Sequence, residues 1–170
     1  MSLGKRLVQS AQKESALGRP LPLEASASET LGNGATINAR ATLADADKYT
    51  KMTSEIRVSL EGGNPKRGAS AQERAEQLAS SATYLSESLG FVETDEGGTA
   101  TVRSTPATMN GRRSAYFEAR VKEDEVQLQR FQPNEGGPGR ASVPFPLSDD
   151  VLARVVEDAA NALKPRRERK

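Results

Sequence analysis

Two segments in the first half of the chain alternate hydrophobic and polar residues with a period of two. The first is ATINARATLA, residues 35–44, and the second is MTSEIRVSLE, residues 52–61. In a β-strand, successive side chains point to opposite faces, so this period indicates a strand with one buried face. The turn-like DADK lies between the two segments, which together predict a β-hairpin. The side chains expected to face inward are Ala35, Ile37, Ala39, Ala41, Leu43, Met52, Ile56, Val58 and Leu60.

Two other segments show the helical period. Residues 70–90 place their hydrophobic side chains three and four positions apart, and Ser70 and Glu73 have the spacing of a capping box. Residues 149–163 repeat the pattern after Ser148, a good N-cap residue. Both segments predict amphipathic helices.

The region between these helices predicts four strands, at residues 91–94, 99–105, 112–122 and 125–132. Short turn-forming sequences separate them, including Asn110-Gly111, which suits a two-residue hairpin turn. Short turns join antiparallel neighbours, so the four strands predict a meander.

The predicted order is β-β-α-β-β-β-β-α, and it indicates an α+β fold. About six antiparallel strands form the sheet, because alternating strands leave one face polar. The two amphipathic helices pack on the other face. Residues 35–164 are expected to form this single domain.

The chain on either side of that domain lacks strong periodicity. Residues 20–34, PLPLEASASETLGNG, are rich in Pro, Ser and Gly, which is typical of a linker. Residues 1–34 are therefore expected to be a flexible N-terminal arm, with at most a short helix over residues 3–17. Residues 165–170 are expected to be a basic C-terminal tail.

Composition narrows the chemistry of the 170-residue chain, which contains no cysteine and no histidine. Disulfides, thiol chemistry and the commonest general base are therefore absent. No apolar run approaches the ~18 residues of a membrane span, and no secretory signal opens the chain. We expect a cytoplasmic protein that is not an enzyme and has no cofactor.

The charge is unevenly distributed. The chain has a net charge of +1, but residues 164–170 carry five basic groups and one acidic group. Residues 35–163 carry 15 basic and 19 acidic groups. An acidic body opposes binding of the phosphate backbone of a nucleic acid.

The stretch GGNPKRGAS, residues 62–70, differs by one residue from a phosphate-binding loop. Ala69 occupies the position where that loop needs a lysine, so the stretch predicts a loop leading into a helix capped by Ser70. Lys66 and Arg67 lie beside the start of this helix. Together with Ser70 they are candidates for a weak anion site, because helix N-termini attract anions.

The polar face of the predicted sheet carries arginine and aromatic side chains. With a hairpin turn at Glu123 and Asp124, Phe131 is expected opposite Tyr116 on the neighbouring strand. Arginine and aromatic residues are enriched where proteins bind one another. The candidate partner-binding residues are Tyr116, Arg120, Phe131, Arg57 and Arg103.

These features favour a non-catalytic binding or adaptor protein that acts through the open sheet face or a sheet edge, with a protein partner or a second copy of itself. The alternative is a protein that binds single-stranded nucleic acid, because arginine and aromatic residues on a sheet also follow phosphates and stack bases. A third alternative is an enzyme that works without His or Cys. No motif resembles that of a known family.

Overall fold

The computed structural model describes residues 1–62, 70–85, 87–105, 115–134 and 136–165. Within these ranges the chain forms three helices and one sheet of nine strands, all paired antiparallel. The predicted α+β class and antiparallel sheet are confirmed, with more strands and one more helix than expected.

The helices are α1 (Leu3–Ala16), α2 (Ala71–Ser81) and α3 (Asp149–Leu163). The strands are β1 (Leu23–Thr30), β2 (Thr36–Ala46), β3 (Thr50–Glu61), β4 (Leu89–Thr94), β5 (Ala100–Ser104), β6 (Tyr116–Val121), β7 (Glu125–Pro133), β8 (Arg140–Ser142) and β9 (Phe145–Ser148).

The main sheet has the strand order β1-β2-β3-β7-β6-β5-β4. The predicted hairpin and meander therefore join edge to edge, with β3 beside β7. These two strands pair over only part of their length, through Ile56–Ser59 of β3. The start of β3 pairs with β9 instead, and the end of β7 pairs with β8.

One hydrophobic core lies between the sheet and a layer formed by all three helices. The inward-facing strand positions are buried as the period of two predicts. They include Ile37, Ala39, Ala41, Val58, Val102, Ala119, Val121 and Val126. From the helix layer, α3 contributes Leu152, Val156, Ala159 and Leu163. The helices thus cover one sheet face.

Residues 3–30 form α1 and the edge strand β1, which differs from the expected flexible arm. Leu3, Leu7 and Ala11 of α1 are fully buried, and so is Ala25 of β1. The β1 segment alternates small residues, alanine against serine, so its sequence has the period of a strand but little hydrophobicity. Packing against α1 supplies the burial that those small side chains cannot achieve alone.

Helices α1 and α3 meet at Gly4. A Cβ atom added there would overlap the backbone of Ala153, so only glycine allows this approach. The backbone N–H of Gly4 also donates a hydrogen bond to Oε1 of Glu157 at 2.6 Å. This contact fixes the first helix against the last.

A bulge reverses the alternation at the start of β3. The β2–β3 register shifts between Thr42 and Asp45, and Thr53 and Lys51 are buried while Met52 is not. The prediction that Met52 faces the core is therefore wrong, because one extra residue in a bulge puts the side chains before it out of phase with those after it.

Helix α2 ends earlier than its hydrophobic stripe predicts. It stops at Ser81, although Leu85 beyond it is still buried. The hydroxyl of Tyr84 donates to Oδ2 of Asp158 on α3 at 2.6 Å, and Gly90 lies in β4. Tertiary contacts thus replace the last predicted helical turns.

Candidate binding face of the sheet

The sheet face opposite the three helices carries mainly polar side chains, and we call it the open face. Register and burial place the following described residues on it: Glu24, Ser26, Ser28, Asn38, Arg40, Thr42, Glu55, Arg57, Ser59, Thr101, Arg103, Tyr116, Glu118, Arg120, Glu125, Gln127, Gln129, Phe131 and Arg140. All five predicted partner-binding residues are among them.

Tyr116 and Phe131 lie directly opposite each other on β6 and β7, in the register that the turn at residues 123–124 predicts. Their ring centroids are 6.3 Å apart and the rings are tilted by 40°. This is the spacing of an interacting aromatic pair.

Glu118 connects this pair to two arginines. Arg140 donates to both carboxylate oxygens of Glu118, at 2.8 and 2.7 Å, and also to the hydroxyl of Tyr116 at 2.9 Å. Arg103 donates to Oε1 of Glu118 at 2.8 Å. Only 3% of the Glu118 side chain is exposed. We call Arg103, Tyr116, Glu118, Phe131 and Arg140 the aromatic–arginine cluster.

The electrostatics of this cluster favour its charged form. Burial alone would raise the pKa of Glu118, but hydrogen bonds from Arg140 and Arg103 outweigh burial and hold that pKa below its usual range. The hydrogen bond to Glu118 in turn raises the pKa of Arg140. The cluster is therefore a charged and internally paired unit at neutral pH.

The arginines cover the aromatic rings. The guanidinium carbon of Arg140 lies 3.8 Å from the ring centroid of Phe131, and that of Arg103 lies 5.3 Å from the centroid of Tyr116. Both distances are typical of cation–π contacts. One face of each ring is therefore already occupied by an arginine of the same chain.

The other two predicted arginines lie outside the cluster. Arg57 is opposite Gln127, which in turn is opposite Arg120, so the three side chains form a row across β3, β7 and β6. Arg40 extends this row onto β2, opposite Arg57. Within the described ranges, no carboxylate lies at ion-pair distance from Arg120.

Two cavities border Arg40 and Arg57 on the open face. The larger has a volume of about 390 Å³ and is also lined by Ser26, Asn38 and Ser59. The smaller has a volume of about 140 Å³ and is lined by glutamate and threonine side chains of β1, β2 and β3. We call the two together the arginine trough.

The candidate anion site is only partly described. Lys66 and Arg67 lie outside the described residues. Ser70 is the N-cap of α2, as predicted, and its hydroxyl accepts a hydrogen bond from the backbone N–H of Glu73 at 3.2 Å. This contact gives Ser70 a structural role at the start of the helix.

Both edges of the main sheet carry features that discourage pairing with another strand. At the β1 edge, the backbone N–H of Ser26 donates to the hydroxyl of Ser10 on α1 at 3.1 Å. At the β4 edge, the register is broken between Phe91 and Glu93. Covered backbone groups and bulges both protect edge strands.

Glu118 and Arg140 were not predicted as site residues. Arg140 belongs to the glycine-rich stretch EGGPGRAS, which resembles a loop, and β8 has only three residues. Glu118 falls on the polar face, where exposure is the normal expectation. The one available signal is that Arg103 and Glu118 become cross-strand neighbours once β5 and β6 are paired.

In the part of the chain that the structure describes, no group of three or more acidic side chains is placed to hold a metal ion. None of the helices found there is long and apolar enough to cross a membrane. Compared with protein-family models, curated proteins and solved structures, the chain matches none of them.

Proposed function

We propose that this chain is a non-catalytic binding or adaptor protein that engages a protein partner, or a second copy of itself, through the open face. The observation that carries the proposal is the one-sided cover of the sheet. All three helices pack on one face, while the other presents an organised set of arginine and aromatic side chains. Arginine and tyrosine are enriched at the centres of protein interfaces.

The ordering of the aromatic–arginine cluster supports this proposal. Arg140 is held by Glu118 and Tyr116, so little side-chain entropy is lost when a partner contacts it. A preorganised charged surface also selects its partners, because a badly matched partner leaves charges unpaired.

The open face is a better candidate for partner binding than the two edges of the sheet are. A partner strand added to β1 would have to displace Ser10 from the backbone of Ser26, and at β4 it would meet the bulge beside Glu93. Among the residues that the structure describes, none forms such an obstacle on the open face.

Single-stranded nucleic acid is the competing partner, because Arg40, Arg57 and Arg120 form a row across the face. Two observations make single-stranded nucleic acid the weaker candidate. Arg140 already covers Phe131, a ring that would otherwise stack a base. Glutamates also lie among the arginines, as in the pair between Arg57 and Glu55 at 2.9 Å.

Site-specific cross-linking tests the proposal. The chain has no cysteine, so a photoreactive label can be attached to one introduced by Ser59→Cys on the open face or Glu76→Cys on the exposed side of α2. We expect the Ser59 label to give a discrete cross-linked partner, or a covalent dimer of the 18.2 kDa chain, and the Glu76 label to give neither. Equal cross-linking from both positions would argue against the open face.

A further inference from the structure

Two groups of three charged side chains flank the central strand of the open face, and their compositions are reversed. In the order β1-β2-β3-β7-β6-β5-β4, β7 is the fourth of seven strands and lies between β3 and β6. The group on the β3 side has two glutamates and one arginine, whereas the group on the β6 side has two arginines and one glutamate. We call them the acidic triad, Glu55, Arg57 and Glu125, and the basic triad, Arg103, Glu118 and Arg140.

The acidic triad carries a net charge of −1, from two carboxylates and one guanidinium. Arg57 on β3 lies 2.9 Å from Oε1 of Glu55 on the same strand and 3.9 Å from Oε1 of Glu125 on β7. The arginine trough beside the triad adds two more glutamates, from β1 and β3, against one more arginine, from β2. This side of the open face therefore has an excess of carboxylates.

The basic triad carries the opposite net charge, and its carboxylate is buried. Arg103 and Arg140 bind Glu118 at 2.8 and 2.7 Å, and 42% and 37% of the two arginine side chains are exposed, against 3% of Glu118. A partner therefore meets guanidinium groups here. Arg120 adds a third, since no described carboxylate lies at ion-pair distance from it. Glu93 on the edge strand β4 offsets one of these charges, so this side remains positive.

The open-face residues of β7 between the triads are neutral. They are Gln127, Gln129 and Phe131, and the amide of Gln127 donates to Oε1 of Gln129 at 3.4 Å. A residue on a two-fold axis meets its own copy, so a charge there would face a like charge. Glutamine amides both donate and accept hydrogen bonds and can pair with themselves. The charged residue at the end of the strand, Glu125, is bound to Arg57. The middle of the face therefore suits two-fold symmetry.

We propose that two copies of this chain pack open face to open face about a two-fold axis along β7. This rotation brings β3 of each copy over β6 of the other, so the acidic triad of each copy meets the basic triad of the other. Two sheets commonly pack face to face with their strands within about 30° of each other. This inference rests on the proposed function and names the second copy as the partner.

The register of the strands sets which charges meet. Arg57 and Arg120 both lie opposite Gln127, so they occupy one row on either side of β7. Arg120 of each copy therefore comes over the acidic triad of the other, in which Arg57 is already bound to two carboxylates. Glu55 and Glu118 occupy the next row. Glu55 of each copy thus reaches the two arginines that cover Glu118 of the other.

A partner of a single charge sign fits this face less well, because it would bring a like charge against one of the two triads. A second copy matches both, since a two-fold interface uses the same patch on each subunit. Six spacings of about 4.8 Å between the seven strands, and strand stretches of about 20 Å, give roughly 600 Å² per copy. The total of about 1,200 Å² is at the lower end of stable interfaces, so we expect a salt-sensitive dimer.

Sedimentation velocity of the full chain tests this dimer. We expect a dimer of the 18.2 kDa chain in about 0.05 M salt that dissociates as salt rises to about 0.5 M, because salt screens the triads. Glu55→Lys and Arg120→Glu each place like charges across the interface, and each should weaken dimerisation by about tenfold or more. The matched controls are Glu76→Lys on α2 and Lys13→Glu on α1, which make the same changes at exposed positions of the helix layer.

A mixture of the two variants gives the sharpest result. In a mixed dimer, the altered acidic triad of one chain faces the altered position 120 of the other, and the second half of the interface is native. We expect the mixture to form more dimer than either variant alone at the same total concentration. Circular dichroism and thermal melting should match the parent. If a reversal disturbs the fold, the neutral variants Glu55→Gln and Arg120→Gln take its place and should also weaken dimerisation.

Three results would overturn the inference: a monomer at low salt and high micromolar concentration, an equal loss of dimer in the control variants, or no recovery of dimer in the mixture. The proposed function fails separately. If the chain is a monomer but the label at position 59 cross-links a different protein, the open face is an interface whose occupant is not a second copy. If a dimer forms and the labels at positions 59 and 76 cross-link equally, the open face is not the interface and both proposals fail.

Discussion

The Nζ atom of Lys51 lies 2.8 Å from Oδ1 of Asp149, and the lysine side chain has 0% exposure. The same ammonium group donates to the backbone carbonyl of Asp47, also at 2.8 Å. One buried cation thus joins the β2–β3 turn to the first residue of α3. Its charge is tolerated only because both acceptors are present.

Removing the Asp149 carboxylate is therefore expected to lower the free energy of unfolding more than removing the neighbouring Asp150 carboxylate does. Asp149→Ala leaves Lys51 buried without its ion pair and should lower the free energy of unfolding by about 3 kcal/mol. Asp150→Ala, at the next position of the helix, should cost only about 0.3–1 kcal/mol through the helix dipole. Urea unfolding measures both, and equal losses would contradict a special role for Asp149.

Stability should depend on the protonation of Glu118. Its pKa is lowered in the folded state, so its contribution is present above the unfolded pKa of about 4.3 and is lost as the pH falls through the folded value. We expect Glu118→Gln to be less stable than the parent at pH 7, with the difference shrinking on acidification below about pH 4. Urea midpoints at several pH values measure this, and a constant difference would refute it.

Gly4 should not tolerate even a methyl group. A Cβ atom there overlaps the backbone of Ala153, so Gly4→Ala is expected to destabilise the fold by about 1–3 kcal/mol through overpacking. Gly32→Ala is the control, because nothing lies within 4 Å of its Cβ position. Thermal melting of the two variants compares them, and a stable Gly4→Ala protein would show that α1 can move away from α3.

A chain that begins at residue 35 should not fold like the whole protein. Deleting residues 1–34 removes α1 and β1, and it exposes the core residues that Leu7 and Ala25 now cover. We expect the cooperative thermal transition to disappear or to fall by more than about 10 °C. An unchanged transition would restore the flexible-arm interpretation of residues 1–34.

Substitutions on the open face should abolish partner binding without disrupting the fold. Tyr116→Ala combined with Arg120→Ala should abolish partner binding or self-association, since anchors of this kind contribute about 2 kcal/mol or more each. Far-UV circular dichroism should be nearly unchanged, because both side chains lie outside the hydrophobic core. Glu76→Ala on α2 is the matched control. Loss of the fold would assign these residues a structural role instead.

The spacing of hydrophobic residues was sufficient to predict the strands and helices that bury one face. It placed Phe131 opposite Tyr116 and Ser70 at the start of α2, because a short hairpin turn sets the register and a cap has a defined spacing. The side chains of the predicted strands therefore fell on the correct faces up to the bulge.

The remaining features depend on contacts between distant segments. The β1 segment is made of alanine and serine, and its burial comes from α1 rather than from its own hydrophobicity. Lys51 is buried because a bulge turns it inward towards Asp149. Arg140 enters the candidate site only because β7 offers an edge for three residues of a glycine-rich stretch. None of these relations has a local signature.

The hydrogen bond from Gly4 to Glu157 spans 153 residues, and it has a consequence for how the protein is made. At the usual 5–20 residues per second, a ribosome needs roughly 8–30 s to travel that distance. Throughout that interval, the nascent helix α1 has no α3 to pack against, so part of its surface stays bare. The contact between Gly4 and Glu157 can form only after α3 has emerged from the ribosome.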